Sequence, residues 1–306
     1  MRVCYKHLVF TFLILIFCES AFSQGRGYLL SLKSDMGHGG TVQWLMKKAG
    51  DVGDRAEDVS SAGYGTKGWA EAIVPGTVLN SLVAQGVYPE PYFGLNNKIT
   101  SGLIPDLSTA GRDFYTYWFR TEFDGLECVK GERMWMQVDG INYRAELWLN
   151  GKMVGNIAGM FRQEFIDITD YINSGNKNVL AVKVYPIDEP GGPREGVSKS
   201  WGAIGEFRNG GNGEIGKNVT MLMTVGWDFT YLDGIRDRNT GIWKDISFFK
   251  TGEVTLNHPF VKSDLRKPGY DHSRQTVSVE LHNPGFRTQK VKIKGCLLYT
   301  SDAADE

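Results

Sequence analysis

The chain has 306 residues, enough for about two domains, and carries 34 Lys and Arg against 35 Asp and Glu. That balance argues against a basic nucleic-acid surface and against an acidic tail. With 42% hydrophobic and 23% charged residues a packed core is expected, and 38 glycines beside 8 Trp, 13 Tyr and 16 Phe suit an all-β chain with frequent turns.

Residues 1–23 read as a secretory signal peptide. Arg2, Lys6 and His7 make a basic start, and Leu8–Phe17 is an apolar run too short to span a bilayer comfortably. Ala21-Phe22-Ser23 places small residues where a signal peptidase needs them, so cleavage is expected before Gln24. A lipoprotein reading through Cys18 is weaker, because Phe17 is bulky where a small residue is wanted. The expectation is an exported protein, periplasmic or extracellular, with no membrane attachment after signal cleavage. Of the 4 cysteines, Cys4, Cys18 and Cys296 lie in the two ends, which leaves Cys128 alone in 24–295. One thiol forms no internal disulfide and no Cys-based zinc site. Without the ends the charge is close to neutral, which fits a neutral partner such as a sugar.

Between Gln24 and Gly68 glycines punctuate the chain, and Val42–Met46 reads as a short strand. Gly63-Tyr-Gly-Thr-Lys-Gly68 fits G-x-G-x-x-G formally, but no strand precedes it and Pro75 interrupts the segment after it, so a dinucleotide loop is not expected. Thr77 caps a predicted short helix with Leu79, Leu82 and Val83 on one face, and Gly86 stops it. Strands come next at Phe114–Phe123, Arg133–Asp139, Arg144–Leu149, Lys152–Asn156, Glu164–Ile168 and Val179–Tyr185. Asn150-Gly151 is a two-residue hairpin signal. Pro190–Gly216 reads as a long Gly-rich, strand-poor loop of the kind that is usually functional or mobile. Strand character resumes at Val219–Val225 and Ile242–Lys250. After Gly252 a second set is expected at Val254–Val261, Thr276–Leu281 and Thr288–Lys294. Short strands joined by Gly and Asn turns mean a β-sandwich or barrel.

Several segments, in this order, resemble the amino-terminal part of glycoside hydrolase family 2. They are Val74-Pro-Gly-Thr-Val-Leu79, Pro89–Asn96, Ile104-Pro-Asp106, Phe114–Arg120, Asp139-Gly140, Tyr143–Gly151, Phe165–Thr169, Asn178–Val184, Gly226–Phe229 and Ile235–Trp243. The resemblance implies an all-β fold: a jelly-roll (galactose-binding-like) β-sandwich over residues 24–252, followed by the start of an immunoglobulin-like sandwich over 253–295. It also implies a catalytic (β/α)₈ barrel beyond them, for which too little chain remains. The family's acid/base and nucleophile are glutamates of that barrel, so no catalytic residue is assigned here. Glu146 and Glu164 sit in alternating strands and read as solvated strand-face carboxylates. Cys296–Glu306 resembles a translated sequencing adapter, so residues 296–306 are expected to be a non-native tail.

By the same resemblance, Trp227 and Asp228 bind the terminal sugar: an aromatic ring packs on the C–H face of a pyranose and a carboxylate accepts from its hydroxyls. Asn96 is a supporting sugar contact. Phe229 stands where family members often have Trp, which puts the local sugar preference in question. The run Arg236-Asp-Arg-Asn239 suggests an ion-pair cluster that steadies Trp227. Ile235–Trp243 looks most like the branch of exo-β-glucosaminidases and mannosylglycoprotein endo-β-mannosidases. The expected function is therefore the amino-terminal fragment of an exported retaining β-glycosidase, inactive alone, with a β-linked oligosaccharide and its own missing barrel as partners. A stand-alone carbohydrate-binding module and an inert structural sandwich are the alternatives. No cofactor is expected. His38, His258, His272 and His282 show no metal spacing, so no metal ligand is assigned, and no G-x-S-x-G elbow occurs.

Overall fold

The structure, a computed structural model, describes residues 13–18, 28–40, 42–96, 101–105, 107–124, 126–188, 239–265, 267–269, 272–285 and 287–298. The expected loop 190–216, the strand 219–225, Trp227, Asp228 and residues 236–238 lie outside them. In chain order the strands are β1 Leu13–Cys18, β2 Leu30–Ser31, β3 Trp44–Lys48, β4 Ala70–Glu71, β5 Tyr117–Phe123, β6 Arg133–Val138 and β7 Arg144–Leu149. They continue as β8 Lys152–Ala158, β9 Glu164–Asp167, β10 Asn178–Tyr185, β11 Ile246–Thr251, β12 Thr255–Leu265, β13 Ser273–His282 and β14 Ile293–Leu298. Short helices are α1 Asp35–His38, α2 Ala56–Val59, α3 Val78–Ala84 and α4 Leu107–Ala110. The fold is all-β, as the sequence implies. The chain divides into two units, one of residues 28–128 and 134–249, the other of 1–27, 129–133 and 250–306.

The larger unit is a sandwich of two sheets, ordered β4-β3-β5-β10-β7-β8 and β2-β11-β6-β9. Period-two alternation decides which side chains meet between them. On β7, Ala145, Leu147 and Leu149 are fully buried, whereas Arg144, Glu146 and Trp148 face outward. Across four strands the register aligns Met46, Phe119, Val182 and Leu147 in one buried row. Met134, Met136 and Val138 of β6 and Ile246 and Phe248 of β11 belong to the same core. Phe123 of one sheet stacks on Phe248 of the other with ring centroids 4.9 Å apart. Each such fully buried side chain contributes about 1.5–3 kcal/mol relative to exposure.

Local chemistry sets the connections. Asn150 and Gly151 have φ of 51° and 81°, the positive pair a type I′ turn requires between β7 and β8. Thr77 caps α3, its hydroxyl accepting from the Asn80 N–H at 3.0 Å. The buried face of α3 is Val78, Ser81 and Leu82, not the expected Leu79, Leu82 and Val83. The reason is Ser81, whose hydroxyl donates to the Thr77 carbonyl at 2.9 Å and accepts from the Ile73 N–H at 3.0 Å.

The strand expected from Phe114 starts later, at Tyr117. Residues Arg112–Tyr115 form a 3-10 turn that carries Tyr115 into the core, where its hydroxyl donates to the Pro105 carbonyl. The formal G-x-G-x-x-G segment is a series of turns leading into β4. It packs on the outer face of the six-stranded sheet, where Tyr64 meets Trp69 edge-on at 6.0 Å and both join a cluster with Trp118 and Ala181. Buried Arg120 holds this cover down by donating to the carbonyls of Val59 (3.0 Å) and Ser61 (3.1 Å) and to Glu122 (2.7 Å).

In the smaller unit β12 and β13 pair antiparallel from Thr255↔His282 to Leu265↔Ser273, with an irregularity between Asn257 and Phe260. Strands β1 and β14 pair antiparallel as well. Among the described residues no helix is long and apolar enough to cross a membrane.

Candidate functional site

The sequence places its sugar-facing pair, Trp227 and Asp228, within 189–238, outside the described residues. The structure defines how the chain enters and leaves that segment. It enters at Asp188. One carboxylate oxygen there accepts from Arg112 Nη2 at 2.7 Å, and the other accepts from Arg144 Nη2. Arg112 is itself fixed, with Nε on the Ile187 carbonyl at 3.0 Å.

The chain returns at Asn239, which is buried. Asn142, also buried, donates its side-chain amide to Asn239 Oδ1 at 2.7 Å and to the Asn239 carbonyl at 3.1 Å. Asn142 and Gly241 then exchange two backbone hydrogen bonds of 2.9 Å. Backbone N–H groups of Val78 and Gly76 donate to the carbonyls of Thr240 and Ile242, each at 2.8 Å. The Trp243 indole donates to the Met160 carbonyl at 2.8 Å. Two glycines make the crossing possible. A β-carbon on Gly241 would stand 2.5 Å from the Gly76 carbonyl oxygen, and one on Gly140 would stand 2.8 Å from Trp243 Nε1. Three segments distant in sequence, around Gly76, Gly140 and Gly241, therefore meet at one point. The expected Arg236–Asn239 ion-pair cluster is represented among the described residues only by Asn239, whose contact is an amide pair.

Asn96, the third sequence-selected residue, is half-buried at the end of a self-closed loop. Its amide donates to the Glu90 carbonyl at 3.0 Å, its N–H to the Phe93 carbonyl at 3.2 Å, and its carbonyl accepts from Ser101. The loop presents Tyr92, Phe93 and Leu95 at 66%, 75% and 63% exposure, an apolar tip that the sequence pattern does not single out.

Glu146 and Glu164 are engaged rather than merely solvated. Glu146 accepts from the Tyr185 hydroxyl at 2.7 Å, and Glu164 pairs with Arg162. Burial, reinforced by Glu146, pushes the Tyr185 hydroxyl up. Among the described residues no group of three or more His, Cys, Asp or Glu is placed to hold a metal ion.

Comparison with known proteins decides the family. Residues 44–244 match the family model described as the glycosyl hydrolase 2 galactose-binding domain-like domain. The chain belongs to this family. Among curated relatives, this family 2 chain is 40% identical over 221 residues to a mannosylglycoprotein endo-beta-mannosidase of Lilium longiflorum, covering 70% of the chain and 21% of the relative. It is 25% identical over 262 residues to an exo-beta-D-glucosaminidase of Streptomyces avermitilis, covering 84% of the chain and 24% of the relative. The chain thus spans less than a quarter of the length of these relatives. The fold is similar to that of part of the Amycolatopsis orientalis exo-chitosanase CsxA: TM-score 0.57 at 21% identity, covering 85% of this chain and 28% of that one.

Proposed function

We propose that the whole protein is an exported β-glycosidase that cleaves β-linked mannosyl or glucosaminyl oligosaccharides with retention, and that this chain is its amino-terminal sugar-binding portion. The observation that carries the reading is the 40% identity to the lily endo-beta-mannosidase over 221 residues, 70% of the chain. On this reading Trp227 supplies the ring face and Asp228 the hydrogen-bond acceptor for the terminal sugar, with Asn96 in support. The two anchored ends, Asp188 and Asn239, support it, because a loop that must hold a sugar in register needs fixed points of departure and return. The bond-breaking carboxylates belong to the downstream barrel, a pair at the retaining separation of about 5 Å.

The complete gene and its product test the proposal. The gene should encode a barrel with that glutamate pair, and the enzyme should release nitrophenol from a nitrophenyl β-mannoside or β-glucosaminide. Asp228→Ala in the full enzyme should lower kcat/KM by about 10- to 100-fold, the worth of one charged hydrogen bond. A gene without a barrel, or an enzyme inert on every nitrophenyl β-glycoside, would overturn it.

A further inference from the structure

The outer face of the six-stranded sheet is covered unevenly. The segment from Ala49 to Trp69 packs over Trp118 and Ala181, but the same face is open where β7, β8 and β10 run past the 3-10 turn at Arg112. The opening is a groove of about 500 Å³, within the size range of small-ligand pockets. Its walls are Arg112, Arg144, Glu146, Asn156, Tyr185 and Asp188.

These side chains are fixed by one another. Asp188 takes Arg112 on one oxygen and Arg144 on the other, and Glu146 takes the Tyr185 hydroxyl on Oε1 and the Trp148 indole on Oε2 at 3.4 Å. The polar groups are thus oriented before any ligand arrives, which lowers the ordering cost of binding. Each guanidinium has five N–H donors and each carboxylate about four acceptor positions, so these contacts leave hydrogen-bonding capacity toward the groove. Asn156, exposed on β8 directly opposite Glu146, adds an amide that both donates and accepts. Arg112 and Arg144 share Asp188, Arg162 at the rim pairs with Glu164, and Glu146 stands opposite Lys183 in the register. Each guanidinium among the described residues of the groove already has a carboxylate partner, which disfavours a phosphate or sulfate. Dense, neutralised donors and acceptors beside the Tyr185 ring and Ala158 match a ligand with many hydroxyls and an apolar C–H face.

We propose that this groove binds a short segment of a neutral or amino-sugar oligosaccharide, as a second saccharide contact besides the one assigned to Trp227 and Asp228. It rests on the reading that the protein acts on carbohydrate. Its test is calorimetric titration of the whole chain with β-1,4-mannotriose, the β-1,4-glucosamine trimer and, separately, inorganic phosphate. One trisaccharide should bind at millimolar concentration. Arg144→Ala should weaken it at least tenfold. Asn156→Trp, an exposed change that fills the groove without touching Asp188, should weaken it equally. Circular dichroism melts of each variant establish that the fold is intact, and Asn156→Trp decides the matter if Arg144→Ala melts early. Three results would overturn the groove: neither trisaccharide binding, phosphate alone binding, or binding that survives Asn156→Trp and is lost in Asp228→Ala. The last result would leave the proposed function standing. Inactivity of the full enzyme on nitrophenyl glycosides would remove that function without touching the calorimetry.

Discussion

Gly241 packs against Gly76 so closely that a β-carbon on it would lie 2.5 Å from the Gly76 carbonyl oxygen and 2.6 Å from Thr77 Cα. Both obstacles are backbone, held by the hydrogen bonds of Gly76 and Val78 to Ile242 and Thr240. Gly241→Ala should therefore destabilise the larger unit by about 1–3 kcal/mol, the usual cost of forcing extra volume into packed structure. Urea unfolding followed by tryptophan fluorescence measures it, and an unchanged midpoint would mean that the crossing yields to a methyl group.

Thr77 starts α3 through its hydroxyl bond to the Asn80 N–H. Thr77→Ala should cost about 1 kcal/mol, whereas Thr77→Ser, which keeps the acceptor, should cost less than half of that. The pair of variants separates the cap from the loss of a methyl group, again by urea midpoint.

Arg120 clamps the Ala49–Trp69 cover to β5 through two carbonyls and Glu122. Arg120→Met should destabilise by about 3 kcal/mol because it strips a buried network of its donor. Burial pushes the Glu122 carboxyl up, but the hydrogen bonds and charges of Arg120 and Lys177 outweigh it and hold the group below the ordinary 4.5. A depressed carboxylate stabilises the fold above its unfolded value and loses that contribution as pH falls through the lower folded value. Stability should drop with acidification below about pH 4.5, and Glu122→Gln should flatten that limb in pH-dependent melts.

The alkaline limb has the opposite sign. Burial pushes the hydroxyls of Tyr64 and Tyr117 up to about 12, aided at Tyr64 by its bond to Asp54. Their folded values exceed the ordinary 10.0. The stabilisation is complete below that pH and is lost as pH rises toward 12. Tyr64→Phe should reduce the fall in melting temperature over this window. Ultraviolet titration of the phenolates should show Tyr64 and Tyr117 ionising late.

This chain alone should release no nitrophenol from any nitrophenyl β-glycoside, since the proposed function places both reacting carboxylates in the downstream barrel. Turnover by the purified chain that survives further purification would refute that division of labour.

The elements that local chemistry dictates are legible in the sequence. Asn150-Gly151 forms the type I′ turn it advertises, and the alternation of Arg144–Leu149 sorts core from surface. Elements decided by distant partners are not. Phe114 and Tyr115 continue an aromatic alternation, yet Tyr115 turns inward to reach Pro105. Glu146 alternates like a solvated residue, but its register opposite Lys183 and beside Tyr185 makes it part of a groove wall. Gly76, Gly140 and Gly241 fall in three separate segments of the family resemblance, and nothing local reveals that they share one crossing. Asn96 is singled out by resemblance alone. Its loop closes on itself, and the exposed ring of Phe93 becomes visible only once the turn is formed.

The anchoring of Asp188 and Asn239 has a consequence for the stretch between them. Each end is held by partners on its own side, Arg112 and Arg144 at one and Asn142 at the other. The end of β10 and the return at Asn239 are thus tied to the sandwich by named partners on each side of residues 189–238. The sandwich sets both endpoints of that stretch with groups from elsewhere in the chain, Arg112 and Arg144 at its start and Asn142 at its return.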